Sequence, residues 1–318
     1  MNSTYVVGID VGGQTSKIGV VDARGTVLAQ TVIRTDTYDQ VEPYIAELAE
    51  AVNKLIKESG TEGQVRGIGV GAPNGNYYTG TIENAPNLLW GRKRVEFAKL
   101  LSEAMGGMPV ALTNDANAAA VGEMTYGAAR GMKNFIMITL GTGVGSGIVI
   151  NGEVVYGHDG FAGELGHTAA VRNNGRTCGC GKTGCLETYA SATGVARTAR
   201  EWLELSDEPS VLRNLDNIAS KDVYDAAKDG DKLALKIFEF TGKILGRSFA
   251  DFVAFSAPEA IVLFGGLARA KEFLNGPIEE AMNANLLQMW KNKVKVVYSQ
   301  LKESDAAILG ASALAWEL

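Results

Sequence analysis

The sequence predicts an α/β protein built as two similar lobes with a cleft between them. Three observations carry that expectation. Each half opens with strands joined by tight turns and then alternates helices with strands. Each half places a glycine-rich turn after its first strand, at residues 12–13 in one and 141–145 in the other. No low-complexity linker parts the halves, which fits an internal duplication packed as two layered units. At 318 residues, 46% hydrophobic and 21% charged, each unit can bury a core of its own.

In the first half, residues 5–10, 17–22 and 26–34 read as strands of an antiparallel meander, with Ala23-Arg24-Gly25 as one turn. Residues 41–59 read as a helix, because Ile45, Leu48, Ala49, Val52, Leu55 and Ile56 recur on one helical face. A buried strand at 65–71, a helix at 94–105 and a strand at 109–112 follow. The chain then passes through Thr113-Asn114-Asp115 into a small-residue helix at 116–128. The second half repeats the scheme: a strand at 135–140, a glycine turn, a strand at 145–150, the hairpin signal Asn151-Gly152, and a returning strand at 153–156. Residues 186–255 are mostly helical. A strand at 261–264, a helix at 267–284, a strand at 294–298 and a helix at 305–316 complete it. The lobes are expected at 1–112 and 113–304, with 305–318 returning to complete the first.

Net charge is −6 with no basic run, which argues against tracking a nucleic acid backbone. No apolar stretch reaches the roughly 20 residues of a membrane span. The start runs directly into a strand without a leader, so reduced thiols and the cytoplasm are expected.

All three cysteines fall within eight residues, at 178, 180 and 185, with His167 upstream. Three thiols and an imidazole make a closed tetrahedral zinc set. Disulfides fit worse, since three cysteines cannot all pair and a two-residue spacing strains a bridge. A structural zinc of this kind contributes on the order of 10–16 kcal/mol, enough to order a glycine-rich loop. Glu164 and Glu187 flank the cluster, so the metal would hold two acids in place.

Asp10-Val-Gly12-Gly13-Gln14-Thr15 sets an acid at a strand end before a turn whose amides could cradle phosphate, with the acid holding hydrated magnesium. A plain hairpin is the other reading. The turn at 140–147 has neither dinucleotide-fingerprint spacing nor a P-loop lysine, but its amides and the Thr142 hydroxyl suit terminal phosphates. Gly265-Gly266 opens a helix, where an anion or a flat base can approach. Three such turns spread over two lobes favour phosphate binding over tight packing alone. Asn114-Asp115 is either an ordinary helix N-cap, a position Asp favours, or carries a general base that takes a hydroxyl proton. Asn84 is either a turn former or a polyol ligand.

With these segments in view, the chain resembles the ROK (repressor, open reading frame, kinase) sugar kinases, especially the bacterial glucokinase-like members. The resemblance spans essentially the whole length. It rests on Asp10-Val-Gly-Gly, Ile82 through Trp90, Thr113-Asn-Asp-Ala-Asn, Gly163-Glu-Leu-Gly-His167 with the cysteine run through Glu187, and Leu263-Phe-Gly-Gly266. The resemblance implies a two-lobed, actin-like ATPase (ribonuclease H-like) fold and ATP-dependent phosphorylation of a hexose at its 6-hydroxyl, most simply glucose. It implies Asp115 as catalytic base and Asn84, Asn114, Glu164, His167 and Glu187 as sugar contacts. Gly12, Gly13, Thr142 and Gly143 would meet phosphate, with Thr15 a neighbouring hydroxyl, and Gly265 and Gly266 would lie on the adenosine side. ATP, Mg2+ and structural Zn2+ are the implied cofactors, and a homodimer or homotetramer the implied assembly. Gln14 replaces the family's usual threonine after the first Gly-Gly. The first strand begins near residue 5, so the helix-turn-helix of the family's repressors is not expected ahead of it. N-acetylglucosamine, N-acetylmannosamine, mannose, allose or fructose as acceptor, and a non-catalytic sugar sensor, are the alternatives.

Overall fold

The structure is a computed structural model and describes residues 4–318; residues 1–3 of the first expected lobe lie outside it. β1 (Tyr5–Val11), β2 (Thr15–Asp22) and β3 (Val27–Arg34) form the expected meander. After α1 (Val41–Glu58), β4 (Val65–Gly71) lies parallel to β1. A small hairpin follows, β5 (Gly75–Asn76) with β6 (Thr81–Ile82), then α2 (Phe97–Ala104), and β7 (Val110–Thr113) parallel to β4. The sheet runs β3-β2-β1-β4-β7.

Beyond α3 (Asp115–Tyr126), the pattern returns strand for strand. β8 (Phe135–Leu140), β9 (Val144–Ile150) and β10 (Glu153–Val154) are antiparallel neighbours. β11 (Ala260–Phe264) and β12 (Lys295–Tyr298) add in parallel, giving β10-β9-β8-β11-β12. Between them lie α4 (Glu187–Ala190), α5 (Ala192–Leu205), α6 (Ser220–Lys228), α7 (Lys232–Ser256) and α8 (Lys271–Asn285). The chain ends through α9 (Glu303–Leu314).

Two large apolar cores correspond to the two halves. One joins the first sheet to α1 and α2, with Ile9, Ile18, Leu48, Ile68, Phe97 and Leu101 sealed from water. The other joins the second sheet to α5, α7 and α8 through Ile138, Phe238, Phe249, Leu263 and Leu274. α3 and α9 form a middle layer: α9 lies on β1, β2 and β4, α3 lies on β8 and β9, and the two helices pack on each other. The approach is close enough to need glycine. A Cβ at Gly69 would strike the Ala311 carbonyl, and one at Gly122 would meet the Gly310 backbone at 2.7 Å.

Several elements differ from the sequence reading; the strand expected at 153–156 is only Glu153–Val154, and the helix expected at 305–316 is Glu303–Leu314. The helix expected from residue 94 starts at Phe97, because Val95 is held in a bridge to Ile82. The helix expected from 267 begins as a 3-10 turn at Gly266–Ala270. The β5–β6 hairpin was not anticipated; two-residue strands carry no readable periodicity. Among the described residues no helix is long and apolar enough to cross a membrane.

Candidate active site

A cleft of about 460 Å³ lies where the glycine turn between β8 and β9, the start of α3 and the cysteine segment meet. It is lined by Asn114, Asp115, Thr142, Gly143, Glu164, His167, Glu187 and Gly265, all singled out from sequence. Asn74, Asn87 and Ser146 line it as well.

The cap question at the head of α3 has a clear outcome. Asn114 is the N-cap, its side chain accepting from the Asn117 amide at 2.7 Å. Asp115 is therefore the first helical residue and its carboxylate is not spent on capping. One oxygen accepts from the Ala116 amide at 2.8 Å, so it sits at the positive end of the helix. Asp115 opens to solvent along the cleft, yet protein crowds it from several sides, and that desolvation raises its pKa. Asp10, half-buried at the end of β1, shares with Asp115 a second cavity of about 200 Å³. Burial and the Asp115 charge push Asp10 up to about 6, and Lys17 only partly offsets this.

Glu164 sits at the cleft beside Asp115, Glu187 and His167. Its pKa is raised chiefly by burial and further by the two carboxylates, with His167 opposing. Ser146 of β9 positions it. The Ser146 hydroxyl donates to the Gly163 carbonyl and accepts from the Leu165 amide, gripping the backbone on both sides of Glu164. Sequence reasoning assigned Ser146 no role; a lone serine inside a glycine turn gave no signal.

Gly12 and Thr15 form the β1–β2 turn, the Gly12 amide donating to the Thr15 carbonyl at 3.0 Å. Gly13 abuts Asn87, whose carbonyl a Cβ there would meet at 2.8 Å. Gly12, Gly13, Thr15 and Gly266 are not among the residues lining the larger cleft. Ser16 points the opposite way, bonded in the core to Thr35 and Tyr44. Asn84 is exposed with a positive φ of 50°, its carbonyl accepting from Asn74, and it too is outside the lining set. Gly265 takes φ 105° and fits against the Leu140 backbone. It also borders a neighbouring cavity of about 320 Å³ with Ala268, Arg269, Lys271, Tyr298 and Ser299.

His167, Cys178, Cys180 and Cys185 converge so that their ligand atoms all lie within 4.8 Å of one another. A tetrahedron with metal–sulfur bonds of about 2.3 Å has sulfur–sulfur edges of about 3.8 Å. The Cys180–Cys185 sulfurs are 3.7 Å apart, and Cys178 Sγ is 3.7 Å from His167 Nδ1. The donor set and its spacing fit zinc.

The ROK family sequence profile matches residues 6–317. The chain belongs to the ROK family. A glucokinase of Halalkalibacterium halodurans is 37% identical, over 98% of this chain and 94% of that protein. The crystal structure of a ROK glucokinase from Streptomyces griseus, in complex with glucose and AMPPNP, superposes with a TM-score of 0.80. It is 31% identical, covering 99% of this chain and all of that one. A ROK transcriptional regulator homologous to Escherichia coli MLC superposes with a TM-score of 0.88 at 28% identity, across 99% of this chain and 78% of that one. The fold is thus the actin-like ATPase fold of ROK sugar kinases. Since ROK regulators share it, the site and not the fold must carry the functional argument.

Proposed function

We propose that this chain is an ATP-dependent hexose kinase of the glucokinase type, transferring the γ-phosphoryl group of ATP to the 6-hydroxyl of glucose. The observation that supports this most directly is Asp115. It is an uncapping carboxylate at a helix start, facing a cleft that also holds Glu164, His167 and Glu187 on one side and the Gly141–Gly145 turn on the other. The glucokinase relatives, similar over nearly their whole length, support the same reading.

In this reading the sugar lies against Asn114, Glu164, His167 and Glu187, with Asn84 or the nearer Asn87 reaching it from the first lobe. Asp115 aligns the hydroxyl and accepts its proton late in transfer, when little basicity is needed. Thr142, Gly143 and the Gly12-Gly13-Thr15 turn hold phosphate, and Gly265-Gly266 borders the nucleoside, with the adjoining Arg269 and Lys271 cavity on that side. Asp10 would hold hydrated magnesium; a carboxyl pushed up to about 6 by burial and a like charge is a site that a cation stabilises. When bound, magnesium neutralises phosphate charge. His167, Cys178, Cys180 and Cys185 would hold zinc as a structural ion that orders the Glu164–Glu187 segment. A cytoplasmic homodimer or homotetramer belongs to the same proposal.

A coupled ADP-release assay across glucose, mannose, fructose, allose, N-acetylglucosamine and N-acetylmannosamine tests the reading. ADP release highest with glucose is the expected result. Sugar binding without ADP release from any of them would instead identify a sensor.

A further inference from the structure

The glycine turn and the cysteine cluster are joined by one side chain. Glu187 follows Cys185 by two residues and opens α4. One carboxylate oxygen accepts from the Val144 amide in the turn at 3.0 Å, and the other lies 3.8 Å from Cys178 Sγ. Gly143 is shaped around this link, since a Cβ there would occupy the place of the Glu187 carboxylate. The same stretch of chain fastens the rest of the turn. The Ala192 amide donates to the Gly141 carbonyl at 2.8 Å, and the Thr193 hydroxyl donates to the Thr142 carbonyl at 2.8 Å. The turn, which Leu140 and Val144 root in the second core, is thus also held by a segment whose near end the cysteine cluster anchors.

We infer that metal occupancy of the Cys178, Cys180, Cys185 and His167 cluster and nucleotide binding at the Gly141–Gly145 turn are coupled through Glu187. The inference rests on the kinase reading for the identity of the ligand at the turn. Ordering the cluster fixes Cys185 and hence Glu187. Glu187 then holds the Val144 amide and its neighbours where a phosphate can use them. Coupling between two binding sites is reciprocal, so nucleotide must tighten zinc by the factor by which zinc tightens nucleotide. Glu187 acts here as a positioning residue, in addition to any contact with sugar.

The test needs neither sugar nor turnover. Zinc affinity of the full chain is measured by competition with a chelating dye, with and without magnesium and AMPPNP, and AMPPNP affinity is titrated with and without zinc. The expected wild-type coupling factor is about tenfold, the size of one charge-assisted hydrogen bond gained or lost. Glu187→Ala should lower it to about twofold or less while zinc still binds. Gly143→Ala should do the same from the other side by displacing the carboxylate, which covers the case in which Glu187→Ala fails to fold. A wild-type factor below about threefold, or one that stays above about threefold in both variants, overturns the coupling. Normal AMPPNP binding without linkage leaves the kinase reading standing, whereas absent AMPPNP binding removes both.

Discussion

Lowering the pH from 7.5 to 5 should silence the site while leaving the fold intact. Asp10 titrates at about 6 and Asp115 is also raised, and the proposed mechanism needs both ionised. One group titrating near 6 leaves about a tenth of kcat/KM at pH 5, and protonation of Asp115, whose burial favours its neutral form, adds to the loss on the acid side. The limb belongs to the pair, because the Asp115 charge itself raises Asp10. Stability moves the other way. The folded chain keeps a proton on Asp10 between about pH 3.8 and 6 that the unfolded chain releases. This contribution is fully present below about 3.8 and is lost as pH rises through 6. Its ceiling is about 3 kcal/mol, from a shift of roughly two units in a half-buried group. Initial rates of ADP release from pH 5 to 8, run beside thermal melts of wild type and Asp10→Asn, read both effects. The difference between the two melting curves isolates Asp10 from other carboxylates. An acid limb centred near pH 4, or a wild type that loses stability relative to Asp10→Asn as pH falls from 7 to 5.5, would refute the reasoning.

Other perturbations have equally definite outcomes. Asp115→Ala should lower kcat by about 10²–10⁴-fold while sugar still binds in a calorimetric titration; near-normal turnover removes it as base. Zinc removal, confirmed by metal analysis, should weaken sugar affinity and speed hydrogen exchange across residues 164–187; unchanged affinity would sink the ordering role of the metal. Ser146→Ala should raise the KM for sugar more than it lowers kcat, since it loosens both sides of Glu164 without touching Asp115. Gly69→Ala should cost roughly 1–3 kcal/mol, seen as a melting temperature several degrees lower, because α9 must lift from the sheet.

The duplicated architecture was legible because meanders, glycine turns and helical faces are local patterns that occur twice. The cysteine cluster was legible because its ligands are close in sequence and chemically distinctive. Less legible were the features that depend on distant chain segments meeting. Glu187 braces Val144 across a sequence separation of 43, and no spacing rule reaches so far. Nor could the sequence say that Asn114 rather than Asp115 caps α3, since both residue types favour that position. Asn84 is the polyol candidate by residue type and position; the loop's path instead sets Asn87, which the sequence reading does not single out, in the cleft lining. Strand alternation turns Ser16 into the core against Tyr44, which a run of Gln14, Thr15 and Ser16 does not reveal by residue type.

The placement of α9 has a consequence for synthesis. Gly8, Gly19 and Gly69 leave a bare, grooved face on the first sheet that this helix alone among the described elements fills so closely. The strands of that sheet leave the ribosome long before residues 303–314 do. At about 5–20 residues per second, some 240 residues of further translation hold that face uncovered for roughly 12–50 seconds. A nascent chain in that interval presents sheet without its lid, and premature termination upstream of α9 should yield aggregates and no half-active lobe.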